Sequence, residues 1–371
     1  MVLKSRRCAA VRRLAAAALL GLALLAAPLP ADAAAPTGLR LAFVGDNLHS
    51  LFVLDPGAPE PTLVAWTGTS GLLAGSWVQD PSWSPDGKRI AYAHTVSRGF
   101  ALTTGQVRVL TLKGRRDRAI VSLHGAGIPQ HVTWSPDGRR IAFVLFTPNY
   151  AVGVATWTAI GSRWDLYVVN VDGTDLRLLA PLHPSGVGPP SWSPDGKKLA
   201  FATDSDGIST VHTVTVDGLP LTTRISPIGM VAYSPAWSPN GGRIAFLAKP
   251  LTSTTWPADL WVADSDGSDG RRLGADAWDP PTWSPDSRRI AFSDWTGIRV
   301  VAANGTSRPQ RVTWGEDGMP SWSRAGDIVF SRNPGGYGDR ECGLFTVRPG
   351  GQPRKLLSTC MAIPPLVWSP A

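Results

Sequence analysis

The sequence contains little of what holds small secreted folds together or builds metal centres. Only three of its 371 residues are cysteines, a number that excludes a small scaffold stabilised by several disulfides. The six histidines lack the short spacing that zinc ligands require. No G-x-S-x-G motif is present, so we expect no peptidase domain with an exposed nucleophilic serine.

Charged residues are also sparse, at 17% of the chain, whereas 43% of the residues are apolar and can bury a large core. What is abundant is glycine, proline and tryptophan, with 39, 33 and 16 residues. So much glycine and proline argues against a bundle of long helices, because both residues destabilise helix interiors. The tryptophans prove to be the most informative residues.

The chain begins with a basic and then an apolar segment. Five Lys and Arg residues, with no acidic residue, precede an apolar run from Leu14 to Leu29, and Ala31-Asp32-Ala33 follows as a small-x-small cleavage pattern. This order predicts a secretory signal peptide over residues 1–33. A membrane anchor is the alternative, but the run is shorter than the ~20 residues of a spanning helix. The pair Arg6-Arg7 leaves both Sec and Tat export open.

Removal of residues 1–33 would lower the net charge of the chain from +8 to +4. The remaining chain has 31 basic and 27 acidic residues, a net charge of +4, so we expect no nucleic-acid partner. Its two cysteines, Cys342 and Cys360, are a candidate disulfide in an oxidising compartment, with two free thiols as the alternative. The predicted product is a secreted or periplasmic monomer without a membrane span.

A tryptophan-centred repeat occupies most of the chain beyond residue 33. Its clearest copies read PSWSPDGKRIAY, VTWSPDGRRIAF, PSWSPDGKKLAF, PAWSPNGGRIAF and PTWSPDSRRIAF, and two partial copies read PSWSRAGDIVF and LVWSPA. The repeated residues are Trp83, Trp134, Trp192, Trp237, Trp283, Trp322 and Trp368. Their spacings of 51, 58, 45, 46, 39 and 46 residues suit propeller blades of four short strands.

Each copy predicts two strands, A and B, joined by a tight Pro-Asp-Gly hairpin, and two further strands, C and D, follow it. Residues 39–45 read as a B strand without a preceding A strand, whereas the final LVWSP reads as an A strand without a following B strand. The sequence therefore predicts one all-β domain over residues 34–371. This domain is a seven-bladed β-propeller in which N- and C-terminal strands complete one blade, and a six-bladed ring is the alternative.

The WSPDG repeat resembles the WD-like Pro-Asp repeat of the TolB-like β-propeller family. The resemblance covers essentially all of residues 34–371, but only the propeller part of that family. It implies an exported, mostly non-enzymatic propeller that binds a protein or a small ligand. The propellers of prolyl-oligopeptidase-type serine peptidases carry a similar repeat.

Strand direction predicts where a binding site lies. The B–C and D–A connections share one face, which we call the long-loop face because several of its loops are long, and long loops often carry function. Residues just before the A strands are expected to ring the channel mouth and to bind a polar ligand: Asp80, Gln130, His131, Tyr233, Asp279, Glu316 and Asp317. Three loop aromatics are candidate partner-binding anchors: Trp77, Tyr150 and Trp157.

Two functional hypotheses follow. The first is a scaffold, without catalytic residues or a cofactor, that binds an envelope or extracellular protein or a small ligand. The second is a hydrolase or lyase that acts on glycans with mouth carboxylates as acid and base. Aspartate-rich segments at 204–206 and 264–269 leave calcium open, although aspartate and glycine form ordinary turns as well.

Overall fold

The computed structural model describes twelve stretches of the chain: residues 40–45, 48–55, 57–66, 74–98, 101–124, 127–148, 163–182, 188–205, 208–254, 257–332, 343–357 and 363–368. The predicted signal peptide, both candidate disulfide cysteines, Cys342 and Cys360, and the loop aromatics Tyr150 and Trp157 lie outside the described residues. The predictions that concern them remain predictions.

The described residues form seven four-stranded antiparallel sheets, each one blade. Blade 1 contains β1 (Leu41–Gly45), β2 (Ser50–Leu54), β3 (Thr62–Trp66) and the last strand of the chain, β28 (Ile363–Trp368). Blade 2 contains β4 (Ala74–Trp83), β5 (Arg89–Arg98), β6 (Ala101–Thr111) and β7 (Arg116–His124). Blade 3 contains β8 (Ile128–Trp134), β9 (Arg140–Thr147), β10 (Arg163–Asn170) and β11 (Arg177–Leu182).

The other four blades keep the same order of strands. Blade 4 contains β12 (Ser191–Trp192), β13 (Lys198–Ser205), β14 (Ile208–Thr215) and β15 (Thr222–Arg224). Blade 5 contains β16 (Met230–Trp237), β17 (Arg243–Pro250), β18 (Ala258–Asp264) and β19 (Arg271–Ala277). Blade 6 contains β20 (Thr282–Trp283), β21 (Arg289–Asp294), β22 (Gly297–Ala302) and β23 (Gln310–Arg311). Blade 7 contains β24 (Asp317–Trp322), β25 (Ile328–Arg332), β26 (Gly343–Val347) and β27 (Arg354–Leu357).

Strands from both ends of the chain complete blade 1. Strand β28 supplies the A strand and pairs antiparallel with β1, with Leu41 opposite Trp368 and Ala42 opposite Val367. The seven sheets form a closed ring, so the predicted seven-bladed propeller is confirmed and the six-bladed alternative is wrong. By pairing with β1, strand β28 covers an edge of β1 that would otherwise be open to another chain.

The WSPDG motif is a self-contained turn. In blade 4, the Ser193 hydroxyl donates a hydrogen bond to the Asp195 carboxylate (2.6 Å), and the same carboxylate accepts the Lys197 N–H (3.0 Å). The Lys198 N–H in turn donates to the Ser193 hydroxyl oxygen (2.9 Å). These two hydrogen bonds to its carboxylate lower the pKa of Asp195. Blades 2, 3 and 6 repeat the same contacts, which explains why each WSPDG copy forms an A–B hairpin.

Repeated tryptophans contact the preceding blade. The Trp192 indole N–H donates to the Thr133 carbonyl of the preceding blade (3.3 Å), and the Arg140 guanidinium lies 5.9 Å from the centre of the Trp192 ring. Arg89 and Arg289, at the same position of their own copies, lie in the same way over the tryptophan of the next blade. Further inside each sheet, the aromatic residue of the B strand is fully buried, as at Phe143 and Phe246.

Candidate functional site

Four of the A strands carry the same irregularity where they approach the long-loop face. Three residues before the repeated tryptophan, the backbone adopts the left-handed conformation, with φ of 52° at Asp80, 53° at His131, 52° at Ser234 and 54° at Met319. A β-bulge in the A–B pairing accompanies each of these residues. Non-glycine residues pay roughly 1–2 kcal/mol for this conformation, so contacts from elsewhere must hold it.

Two of the predicted mouth carboxylates provide such contacts. The Asp80 carboxylate accepts the backbone N–H of His131 in the next blade (2.6 Å). The Asp279 carboxylate accepts the backbone N–H of Met319 in the next blade (2.7 Å) and the hydroxyl of Ser293 (2.5 Å). Both carboxylates thus link neighbouring blades by fixing a left-handed residue, and the hydrogen bond from His131 to Asp80 brings two of the mouth candidates together.

The remaining mouth candidates differ in exposure. Asp317 is only 2% exposed and forms a bidentate ion pair with Arg332, whose Nε and Nη2 lie 2.7 and 2.9 Å from its oxygens. Glu316 next to it is exposed, whereas Gln130 and Tyr233 are half-buried. Burial raises the pKa of the Tyr233 hydroxyl. Whether any of these residues binds a ligand remains a prediction.

Trp77 is the one predicted loop anchor within the described residues. It lies on β4 and is half-buried, with its ring folded over its own strand. A Cβ atom placed on Gly75 would come within 2.4 Å of that ring, so a glycine is needed beneath it. Trp77 is therefore packed against the scaffold and exposes only part of its ring.

The long-loop face carries three exposed tryptophans that sequence reasoning missed. Trp278 lies between β19 and β20, Trp295 lies in the turn between β21 and β22, and Trp314 lies between β23 and β24. Their exposed fractions are 51%, 71% and 76%. All three loops are B–C or D–A connections of blade 6 and its neighbours, so they lie on the same face. We call Trp278, Trp295 and Trp314 the tryptophan surface.

Backbone hydrogen bonds hold the three loops of the tryptophan surface against one another. The Trp278 N–H donates to the Ser293 carbonyl (3.0 Å), and the Gly315 N–H donates to the Thr296 carbonyl (3.0 Å). The Arg311 guanidinium lies 3.9 Å from the centre of the Trp314 ring and also donates to the Thr296 carbonyl (3.4 Å). The three loops that carry the exposed indoles are therefore connected to one another by hydrogen bonds.

The carboxylate that precedes Trp295 in the chain is paired. The Asp294 carboxylate, which is buried, accepts hydrogen bonds from the Thr296 N–H and hydroxyl and from the Arg299 guanidinium. Burial alone would raise the pKa of Asp294, but the hydrogen bonds from Thr296 and Arg299 outweigh it and lower that pKa. The residue before Trp295 is therefore an ionised carboxylate that a guanidinium neutralises.

The aspartate-rich segment at 264–269 shows turn and ion-pair contacts, whereas Asp206 of the other segment lies outside the described residues. The Asp266 carboxylate accepts the N–H and the hydroxyl of Ser268 (2.9 and 2.6 Å), and Asp264 pairs with Arg243 (3.3 Å). In the part of the chain that the structure describes, no group of three or more His, Cys, Asp or Glu side chains is arranged to hold a metal ion. Within the same residues, no helix has the length and apolar character needed to cross a membrane.

Comparison with known families agrees with the fold. Residues 74–326, about two-thirds of the chain, match the family described as TolB beta propeller domain. The chain belongs to the TolB β-propeller family. A segment of 123 residues is 30% identical to a Bacillus subtilis (strain 168) protein named uncharacterized peptidase YuxL, covering 33% of this chain and 16% of that protein. A segment of 76 residues is 37% identical to the Tol-Pal system protein TolB of Alcanivorax borkumensis, covering 20% and 14%.

Solved propellers similar to this TolB-family chain come from proteins with different roles. An oligogalacturonate lyase in complex with manganese has a TM-score of 0.59 at 15% identity over 80% of this chain and 82% of the lyase. TolB from Acinetobacter baumannii has a TM-score of 0.51 at 19% identity over 76% and 66%. An acylaminoacyl peptidase from Pyrococcus horikoshii has 0.55 at 13% identity over 84% and 48%. At these identities the similarity shows the fold alone.

Proposed function

We propose that this TolB-family propeller is an exported, non-enzymatic scaffold that binds an envelope or extracellular protein or ligand through its long-loop face. The observation that carries the proposal is the tryptophan surface, where three indoles are 51–76% exposed on loops held together by hydrogen bonds. Tryptophan is enriched among residues that dominate binding energy, and exposing three of them on one face needs a functional reason. The N-terminal segment with signal-peptide character supports export.

The contacts of the mouth carboxylates argue against acid–base catalysis there. Asp80 and Asp279 accept backbone N–H groups, and Asp317 is neutralised by Arg332. A carboxylate has several lone pairs and could keep one for a substrate, but each of these three groups already has a structural contact that accounts for its presence. These contacts favour the scaffold over the glycan hydrolase or lyase.

Affinity capture with the chain from residue 34 tests the proposal. The bait is compared with the double variant Trp295→Ala/Trp314→Ala and with Trp66→Ala, a matched control whose indole, at the end of β3 in blade 1, is 62% exposed and lies outside the tryptophan surface. We expect the wild type and the control to retain the same component from the host envelope or culture medium, and the double variant to lose it. Equal retention by all three proteins would contradict binding through the tryptophan surface, and turnover of an oligosaccharide or peptide substrate would contradict the non-enzymatic role.

A further inference from the structure

The tryptophan surface combines flat apolar rings with polar groups at their edges. Each indole is contributed by a separate loop, and the groups between the loops are the Ser293 and Thr296 carbonyls, which accept hydrogen bonds from neighbouring backbone N–H groups. The Arg311 guanidinium covers one side of the Trp314 ring and leaves the rest of this 76% exposed side chain to solvent. The surface therefore offers three exposed aromatic side chains on three loops that hydrogen bonds connect.

Two carboxylates beside this surface form ion pairs. Asp294 is neutralised by Arg299, and Asp317, at the start of the next A strand, is neutralised by Arg332. Opposed charges this close together produce little field at a distance.

Other charged groups near the surface are of both signs. The Arg311 guanidinium lies against Trp314, whereas Asp279 and the exposed Glu316 carry negative charge. These groups therefore supply no excess of positive charge that would attract an acidic polymer.

Sugar rings have the complementary chemistry. A pyranose presents a flat face of C–H groups that packs against the electron-rich face of an indole, while its hydroxyl groups at the ring edge donate and accept hydrogen bonds. Platforms on three successive loops suit a chain of linked sugars better than a single sugar. The lack of a positive excess among these charges suits an uncharged chain better than an acidic one.

We propose that the tryptophan surface binds an uncharged oligosaccharide or polysaccharide chain, with Trp295 and Trp314 stacking on successive sugar rings and Trp278 adding a third aromatic side chain. This assignment rests on the proposed function of the long-loop face as a binding surface and names the chemical class of its ligand. It requires no catalysis, because the indoles hold the sugar without a reactive group.

Calorimetric titration of the chain from residue 34 tests the assignment. The probes are the neutral oligosaccharides cellohexaose, maltohexaose and hexa-N-acetylchitohexaose, with polygalacturonate as the acidic comparison. We expect at least one neutral probe to bind and to shift the tryptophan fluorescence. Trp295→Ala and Trp314→Ala each weaken that binding by at least about tenfold, the size expected for a binding hot spot. Trp314→Phe, which keeps an aromatic face, retains more affinity than Trp314→Ala, and Trp66→Ala binds like the wild type.

Three results would overturn the assignment. They are an absence of binding by every neutral probe, binding of polygalacturonate alone, and binding unchanged in the Trp295 and Trp314 variants. Thermal unfolding of each variant guards against a folding artefact, and we expect little change because both side chains are largely exposed. A protein captured through this surface while no sugar binds would overturn the carbohydrate assignment but leave the scaffold function standing.

Discussion

Replacing Asp279 tests the idea that mouth carboxylates hold the ring together. Its carboxylate accepts two hydrogen bonds, from the Met319 N–H at 2.7 Å and from the Ser293 hydroxyl at 2.5 Å, and the first of them joins blade 6 to blade 7. A hydrogen bond to a charged group contributes about 1.5–3 kcal/mol, and bonds that share one acceptor are not fully additive. We therefore expect Asp279→Ala to lower the free energy of unfolding by roughly 2–4 kcal/mol.

Urea unfolding followed by far-UV circular dichroism measures this loss. Asp279→Asn keeps an oxygen acceptor without the charge, so we expect it to lose about half as much as Asp279→Ala. Glu60→Ala, at an exposed position between β2 and β3, serves as the control and should change stability little. An Asp279→Ala variant within about 0.5 kcal/mol of the wild type would refute the structural role and return this carboxylate to the set of candidate catalytic groups.

Three further predictions concern closure, core and pH. Removing β28 by ending the chain before Ile363 opens blade 1, and we expect a lower melting temperature than that of the full chain, with an unchanged melting temperature contradicting closure. Phe246→Ala empties a fully buried site and should cost about 3–5 kcal/mol in urea unfolding, whereas a loss below about 1 kcal/mol would contradict the packing. Burial lowers the pKa of His94 and His212, so the unfolded chain binds more protons below pH ~6.5 and stability should fall between neutral pH and pH ~5. The double variant His94→Gln/His212→Gln should flatten that fall, and an equal fall in the variant would contradict the assignment to these histidines.

The fold was predictable from the sequence because the motifs that form its turns are local and repeated. Each WSPDG copy contains its own turn, in which a serine, an aspartate and two backbone N–H groups satisfy one another, as Ser193 and Asp195 do. The unpaired B strand at one end and the unpaired A strand at the other predicted the pairing of β1 with β28. Neither inference needed distances between remote side chains.

The site was less predictable because it depends on contacts between blades. Sequence position predicted that Asp80 and Asp279 lie at the channel mouth. It did not reveal that each carboxylate accepts a hydrogen bond from a backbone N–H of the next blade. The sequence also did not show which tryptophan side chains are exposed. Trp261 on strand β18 is half-buried against its neighbours, whereas Trp295 in a two-residue turn is 71% exposed. The sequence feature that could have indicated this exposure is the short B–C turn that contains Trp295, because a residue in such a turn lies outside the sheet.

Radical footprinting of the tryptophans tests the central claim, that the tryptophan surface on the long-loop face is the binding surface. Hydroxyl-radical oxidation of each indole is measured by mass spectrometry, with and without the captured component or the oligosaccharide that binds best. We expect bound ligand to protect Trp295 and Trp314 from oxidation and to leave Trp66, which lies outside the tryptophan surface at the end of β3 in blade 1, unchanged. Equal oxidation of Trp295 and Trp314 in the free and bound protein would contradict it.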